Sequence, residues 1–249
     1  MIINKLLKII LLILGITYIV LEVFQVELYN DFVSSTLLVL LTLLYSRNIT
    51  TKNKKRPYFL YFLITFTISE LLSLFSNFFV LITDTVDYNY YLSNLLYMLA
   101  YTFLILRCVS TMKFEKILKQ FPVTLLILIT LGVFCVTLIT ETAQNQLTTS
   151  EYILEFLYNV IVMALLSAAL ISYMDRGDNK SMLFLIGSMF IFFSEMLQLA
   201  YYYVAELQHL AVIYSVFLVL AFVFFYLQSN LKHQEIQDFD FLDSNCRNM

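Results

Sequence analysis

Charged residues are scarce in this sequence, and that scarcity decides its class. Only 13% of the 249 residues are charged and 61% are hydrophobic, whereas a soluble domain carries about a quarter charged residues. A helix that crosses about 30 Å of hydrocarbon needs roughly 20 mostly apolar residues. The sequence offers run after run of that length with only short polar breaks. It therefore predicts an all-α, polytopic membrane bundle with no room for a soluble domain.

Residues that hold metals or cofactors are also few. The histidines His209 and His233 fall near span ends or beyond, and the cysteines Cys108, Cys135 and Cys246 show no paired spacing. A disulfide framework and a metal site of thiolates or imidazoles are therefore not expected. No HExxH, glycine-rich phosphate loop or GxSxG motif is present. We expect neither a metal nor a cofactor.

Eight hydrophobic runs predict eight transmembrane helices. Lysine and arginine occupy every second connection, at 52–56, 107–119 and 176–180, whereas the remaining connections are acidic. By the positive-inside rule both termini and the basic connections lie in the cytoplasm, and we expect the inner membrane of a bacterium. The chain divides into one transmembrane domain at 1–232 and a polar cytoplasmic tail at 233–249. The predicted spans are 6–24, 28–46, 58–82, 90–109, 121–140, 150–173, 181–204 and 209–228.

An internal repeat relates the two halves of the chain. Ser-Glu-Leu-Leu-Ser-Leu at 69–74, in span three, matches Ser-Glu-Met-Leu-Gln-Leu at 194–199, in span seven. The next helices match too, with Leu-Ala-Tyr-Thr-Phe at 99–103 and Leu-Ala-Phe-Val-Phe at 220–224. The matches predict a parallel duplication of two four-helix halves. The halves comprise about residues 1–118 and 119–232.

Glu70 and Glu195 are the acids that the repeat places near mid-membrane. At 1.5 Å per residue, Glu70 lies ~18 Å and Glu195 ~21 Å from the start of its span. A charge at a helix centre costs about 2.5 to 3.5 kcal/mol, so such residues usually face the bundle interior and have a function. Two carboxyls in one low-dielectric site favour one protonated and one ionised group. That pair suits acid-base hydrolysis, and equally a proton relay or a cation site.

Polar residues follow the glutamates along the same helix faces and predict a wet cavity. Interhelical hydrogen bonds, with the glutamates as bridges, would give the same pattern. The predicted lining is Thr67, Ser73 and Asn77 in span three, Asn94, Tyr97 and Tyr101 in span four, and Ser188, Gln198 and Tyr202 in span seven.

Residues 187–195, Gly-Ser-Met-Phe-Ile-Phe-Phe-Ser-Glu, resemble the seventh-helix signature of the YhhN family of lysoplasmalogenase-like membrane proteins. Residues 67–70, Thr-Ile-Ser-Glu, occupy the place of that family's Ser-x-x-Gly-Asp pattern. The resemblance implies eight spans and hydrolysis of the vinyl-ether bond of lysoplasmalogens. It also implies that Glu70 and Glu195 are the catalytic acid and base, in an order that the sequence does not assign.

The sequence departs from the family pattern at five positions. Glutamate replaces the family's aspartate at Glu70 and Glu195, and Ser69 replaces the glycine before the first acid. Ala100 and Ala221 stand where helices four and eight of the family tend to carry His or Gln. The resemblance therefore transfers the fold better than the activity.

Three functions are compatible with this pattern. The first is a lipid hydrolase, the second a proton- or cation-coupled transporter, and the third a non-catalytic protein whose glutamates bridge helices. Four glycines and two prolines leave little to break a helix at a transport site. The expected partners are membrane lipids and a lysophospholipid substrate, and no nucleic acid, because basic connections suit anionic headgroups. The oligomeric state stays open.

Overall fold

The computed structural model describes residues 2–25, 27–52, 58–76, 82–83, 86–110, 112, 114–204 and 206–231. The predicted lining residue Asn77 and the tail at 233–249 lie outside the described residues. The described chain is helical apart from a two-stranded ribbon and a 3₁₀ turn, Gln144–Gln146, so the all-helical prediction is confirmed. The elements are α1 Ile2–Val23, α2 Glu27–Lys52, α3 Tyr58–Ser76, β1 Ile82–Thr83, β2 Val86–Asp87, α4 Tyr88–Val109, α5 Phe114–Gln120, α6 Pro122–Ala143, α7 Thr149–Arg176, α8 Asn179–Tyr203 and α9 Gln208–Asn230.

Within the described residues, six helices, α3, α4 and α6 to α9, are long and apolar enough to cross a membrane. The chain is therefore a multi-pass membrane protein. Helices α1 and α2 have 22 and 26 residues but do not belong to those six. The predicted end of span three is wrong, because α3 ends at Ser76 and Ile82 pairs with Asp87 in the antiparallel ribbon. The β-branched side chains of Ile82 and Thr83 favour the extended backbone.

Local sequence signals set several helix ends. Thr148 and Glu151 form a capping box at the start of α7, each satisfying a backbone N–H that the helix leaves unpaired. Gly177 ends α7 with φ 62°, a left-handed conformation that glycine adopts without strain. Asp178 caps α8 by accepting from the Ser181 N–H at 2.8 Å, and Pro122 begins α6.

Seven of the long helices form a closed ring. Each packs on the next in the order α1, α2, α3, α4, α7, α8, α9, and α9 packs again on α1. Helix α6 packs on α7 from outside this ring, and it is the least buried of the six apolar helices. The ring therefore surrounds a space to which seven helices can contribute side chains.

The ring has two ends of opposite charge. Hydrogen bonds from Gln208 to the Val23 carbonyl and from Gln146 to the Tyr203 carbonyl hold one end together. We name it the acidic end, because Glu22, Asp31, Glu151 and Glu206 lie there. At the opposite, basic end are Lys8, Arg47, Arg107, Arg176 and Lys180.

Aromatic side chains fill the ring beneath its centre. Phe66 and Phe62 of α3 contact Phe222 of α9, with ring centroids 5.0 and 5.6 Å apart. Phe225 packs across Gly187 of α8, where an added Cβ would lie 2.7 Å from the phenyl ring. Glycine at this position therefore lets α8 and α9 approach closely.

Candidate functional site

A polar cavity of about 340 Å³ occupies the centre of the ring, open towards the acidic end, and all seven ring helices line it. Both predicted acids reach it, Glu70 from α3 and Glu195 from α8. The aromatic side chain of Phe66, one turn before Glu70, closes it from below. The two glutamates therefore share one cavity. Its other polar side chains are Tyr18, Glu22, Gln25, Asn30, Asp31, Ser34, Ser73, Tyr97, Tyr158, Gln198, Tyr201, Tyr202 and Tyr214.

Glu70 is held by hydroxyl donors from the two neighbouring helices. Tyr97 of α4 donates to its Oε1 at 2.8 Å, and Ser34 of α2 donates to its Oε2 at 3.3 Å. Both donors line the cavity. The carboxyl of Glu70 thus stands between two side chains that ligands in the cavity can also reach.

Glu195 is held in the same manner by deeper donors. Tyr101 of α4 donates to its Oε1, and Tyr158 of α7 donates to its Oε2 at 2.7 Å. Tyr101 has no exposed surface and Tyr158 only 7%. Because Tyr97 and Tyr101 lie one turn apart on α4, that one helix supplies a donor to each glutamate.

The serine before each glutamate makes an equivalent contact in both halves. Ser69 donates to the carbonyl of Ser93 in α4 at 2.9 Å, and Ser194 donates to the carbonyl of Tyr214 in α9 at 2.8 Å. If the match between 99–103 and 220–224 is extended without a gap, Ser93 stands opposite Tyr214. The repeated sequence therefore corresponds to a repeated contact between helices.

The remaining predicted lining residues divide into two groups. Ser73, Tyr97, Gln198 and Tyr202 line the cavity, and Tyr101 reaches it through Glu195. The others turn elsewhere: Thr67 hydrogen-bonds Thr42 at 3.0 Å, Asn94 donates to the Tyr90 carbonyl at 2.9 Å, and Ser188 donates to the Phe184 carbonyl at 2.9 Å.

Sequence reasoning missed several residues that complete the site. Ser34 lies in a polar stretch of α2, and Tyr158 lies one turn before Val162 in α7; both Ser34 and Tyr158 line the cavity. Among the described residues, no group of three or more His, Cys, Asp or Glu could hold a metal ion.

The cavity is acidic in its lining. Glu22 and Asp31 join the two buried glutamates, and the described lining includes no lysine or arginine. Asn30, only 7% exposed, donates its amide N–H to Glu22, while its Oδ1 has no hydrogen-bond partner within the part of the chain that the structure describes. Carboxylates, tyrosine rings and a vacant amide oxygen suit a guest that carries N–H donors or positive charge.

An apolar crevice of about 500 Å³ meets the cavity from the side of α1, α2 and α9. Tyr18, Ser34, Glu70 and Leu218 line both spaces. From this junction the crevice follows α1 for about 15 Å towards Lys8, at 1.5 Å per residue. Several of its lining residues, Leu12, Ile16, Val223 and Leu227, are also exposed on the outer surface of the bundle.

The joined spaces have the shape and polarity to hold a single-chain amphiphile, with its chain in the crevice and its polar part in the cavity. Glu70 lies where the two parts would meet, and Glu195 lies on the polar side. The described lining of the cavity places no lysine or arginine beside either glutamate. No known protein family, curated protein or solved structure matches this chain.

Proposed function

We propose that all eight long helices, α1 and α2 included, cross the inner membrane of a bacterium, with both termini in the cytoplasm. The lengths of α1 and α2 and their places in the ring support this. The basic end of the ring then faces the cytoplasm. The repeated serine contacts of Ser69 and Ser194 support two related halves of four spans each.

Within this bundle we propose hydrolysis of a single-chain ether lipid of the lysoplasmalogen type, the reaction that the YhhN-like motifs imply. One observation carries the proposal: Glu70 lines both the polar cavity and the apolar crevice. The vinyl-ether bond joins the hydrocarbon chain of such a lipid to its glycerol headgroup. A lipid seated across the junction would therefore present that bond to Glu70.

The two carboxyls then take different roles. Protonated Glu70 donates its proton to the vinyl carbon that is farther from the ether oxygen. The vinyl carbon bonded to that oxygen then becomes an oxocarbenium ion. Glu195, on the polar side, accepts a proton from the water that attacks this carbon. The resulting hemiacetal collapses when Glu195 gives its proton to the glycerol oxygen and the ionised Glu70 takes the proton of the new hydroxyl. This step releases a fatty aldehyde and a glycerol hydroxyl and restores both carboxyls. The acidic lining favours a headgroup that ends in an amine.

Aldehyde release tests this function. Purified protein with lysoplasmalogen should release fatty aldehyde, and Glu70→Gln should abolish the release because amide protons are not acidic enough. Glu155→Gln is the matched control, since Glu155 is a partly buried acid that does not line the cavity. Undiminished turnover by Glu70→Gln would remove Glu70 from the mechanism. Inactivity of the native chain would leave a binding protein or a transporter.

Cation-coupled transport is the second candidate, favoured by the four carboxyls that line the cavity. Against it, α3 and α8 continue unbroken through Glu70 and Glu195, whereas transport sites usually lie at broken helices. Flux into liposomes driven by an acid gradient should then depend on Glu70. Flux that persists in Glu70→Gln would exclude a coupling role for this residue.

A further inference from the structure

Three cations come together at the basic end of α4, α7 and α8, far from the glutamates. Arg107 and Arg176 lie in the last turns of α4 and α7, where the helix dipole favours positive charge. Their positions alone therefore need no ligand. Lys180, however, lies in the first turn of α8, where the dipole opposes a cation.

The guanidinium of Arg107 does not extend into solvent as an arginine at a span end usually does. It lies over the ring of Phe59 with its central carbon 5.3 Å from the ring centroid. Tyr45 packs edge-on against the same ring, 4.7 Å away, and so borders the guanidinium. Nη1 of Arg107 is buried and has no hydrogen-bond partner among the described residues. A buried donor of this kind is costly to leave unpaired.

Asp178, in the connection between α7 and α8, does not supply the missing acceptor. The groups that act electrostatically on Lys180 are Arg107, Asp178 and Arg176. Asp178 is the carboxylate among them, and it already caps α8 by accepting from the N–H and the hydroxyl of Ser181. Arg107 and Lys180 therefore repel one another, and the aspartate between the helices is engaged elsewhere.

We infer that a phosphate group binds between Arg107 and Lys180, with Arg176 adding to the positive field, at the basic end of α4, α7 and α8. A phosphate oxygen would accept from the unpaired Nη1 of Arg107 and offset the charge of Lys180. The headgroup of an anionic phospholipid offers this chemistry at the membrane surface, and free phosphate offers it from water. The site is independent of the glutamate cavity and of its proposed reaction.

Ligand-dependent thermal unfolding of the full chain in a neutral detergent tests the site. The probes are phosphatidylglycerol, phosphatidylcholine, and inorganic phosphate against chloride at matched ionic strength. Phosphatidylglycerol should bind at least about tenfold more tightly than phosphatidylcholine. Arg107→Gln and Lys180→Gln should each remove most of that preference. Lys119→Gln, which removes an exposed charge from α5, should retain it.

Each result of this experiment decides something. A preference for phosphatidylglycerol that both variants lose supports a lipid headgroup as the ligand. Equal stabilisation by inorganic phosphate, lost in the same variants, supports the site with free phosphate as its source. Equal binding of the two lipids without any effect of phosphate overturns the proposed site. An equal loss of the lipid preference in Lys119→Gln also overturns it. If Arg107→Gln does not fold, Lys180→Gln and Arg107→Lys decide, because Arg107→Lys keeps the charge without the guanidinium fork.

Discussion

The two halves of the ring meet at two junctions that are built differently. At one, α4 packs directly on α7, and α6 is left outside the ring. At the other, α1 stands between α9 and α2, and the apolar crevice runs along it. The helices α1 and α6 are the first long helices of the two proposed halves. Nevertheless, α1 is part of the ring, whereas α6 lies outside it. The opening thus lies at the junction where a helix is part of the ring, and the closed junction lies where one is left outside it.

The side chains at the two junctions differ in the same sense. Extending the match of α4 with α9, Tyr97 stands opposite Leu218 and Tyr101 opposite Phe222. The tyrosines donate to Glu70 and Glu195, whereas Leu218 and Phe222 line the crevice. The α4 junction therefore provides hydrogen bonds for both acids, and the α9 junction provides an apolar surface that reaches Glu70. Four expected outcomes test this contrast.

The largest effect is expected from removing the acid at the closed junction. Glu195→Leu leaves the hydroxyls of Tyr101 and Tyr158 buried without an acceptor, and should lower the free energy of unfolding by roughly 2 to 5 kcal/mol. Glu70→Leu should cost less, because Ser34 and Tyr97 are less buried than Tyr101 and Tyr158, so water in the cavity can replace the carboxylate more easily. Reversible unfolding in detergent measures both. Equal losses would contradict the difference in burial between the donors of the two acids.

The second-largest effect is expected where α8 packs closely on α9. Gly187→Ala puts a Cβ against the buried ring of Phe225 and should cost about 1 to 3 kcal/mol of unfolding free energy. Gly132→Ala is the control, since no atom lies within 4 Å of its added Cβ. Chemical denaturation of the two variants gives the comparison. Similar midpoints would show that α8 and α9 tolerate a wider spacing.

Blocking the open junction should affect binding more than stability. Gly15→Leu adds a side chain inside the crevice, near Val219 and Leu37, and should weaken binding of a single-chain amphiphile about tenfold, or roughly 1.4 kcal/mol. Gly132→Leu, on the outer helix α6, should bind as the native chain does. Titration with a fluorescent lysolipid measures both. Unchanged affinity in Gly15→Leu would mean that the chain of the amphiphile lies elsewhere.

The repeated serines should give the smallest effects, and equal ones. Ser69→Ala and Ser194→Ala each remove one interhelical hydrogen bond, which is worth about 0.6 kcal/mol in a membrane bundle. The unfolding free energies of the two variants should therefore fall by similar amounts. A large loss at one serine alone would argue against equivalent roles in the two halves.

The sequence was sufficient for the features that rest on large energies. Long apolar runs predict membrane helices because water-to-lipid transfer dominates, and Glu70 and Glu195 are conspicuous because charge in lipid is costly. The sequence did not distinguish the tyrosines that donate to these glutamates from other polar residues on the same helix faces. Thr67, Ser188 and Asn94 share the polar character of Tyr97, yet each hydrogen-bonds backbone or a neighbouring helix instead.

The ring order also lay beyond sequence reasoning. Helix periodicity indicates which residues share a face, but not which helix packs against that face. Ser34 and Tyr158 complete the site only because α2 lies beside α3 and α7 lies beside both α4 and α8. The exclusion of α6 and the insertion of α1 depend on these packing choices. The crevice was therefore not predicted, although most of its residues are ordinary apolar membrane residues.

The meeting of cavity and crevice is the central claim, and cysteine labelling at Leu218 tests it most directly. In a chain with Cys108, Cys135 and Cys246 changed to serine, Leu218→Cys should react with a charged, water-soluble thiol reagent through the cavity. It should also react with an alkyl maleimide in the bilayer through the crevice, and a single-chain amphiphile should protect it from both. Reaction by one route only, or no protection, would contradict a shared site at Glu70.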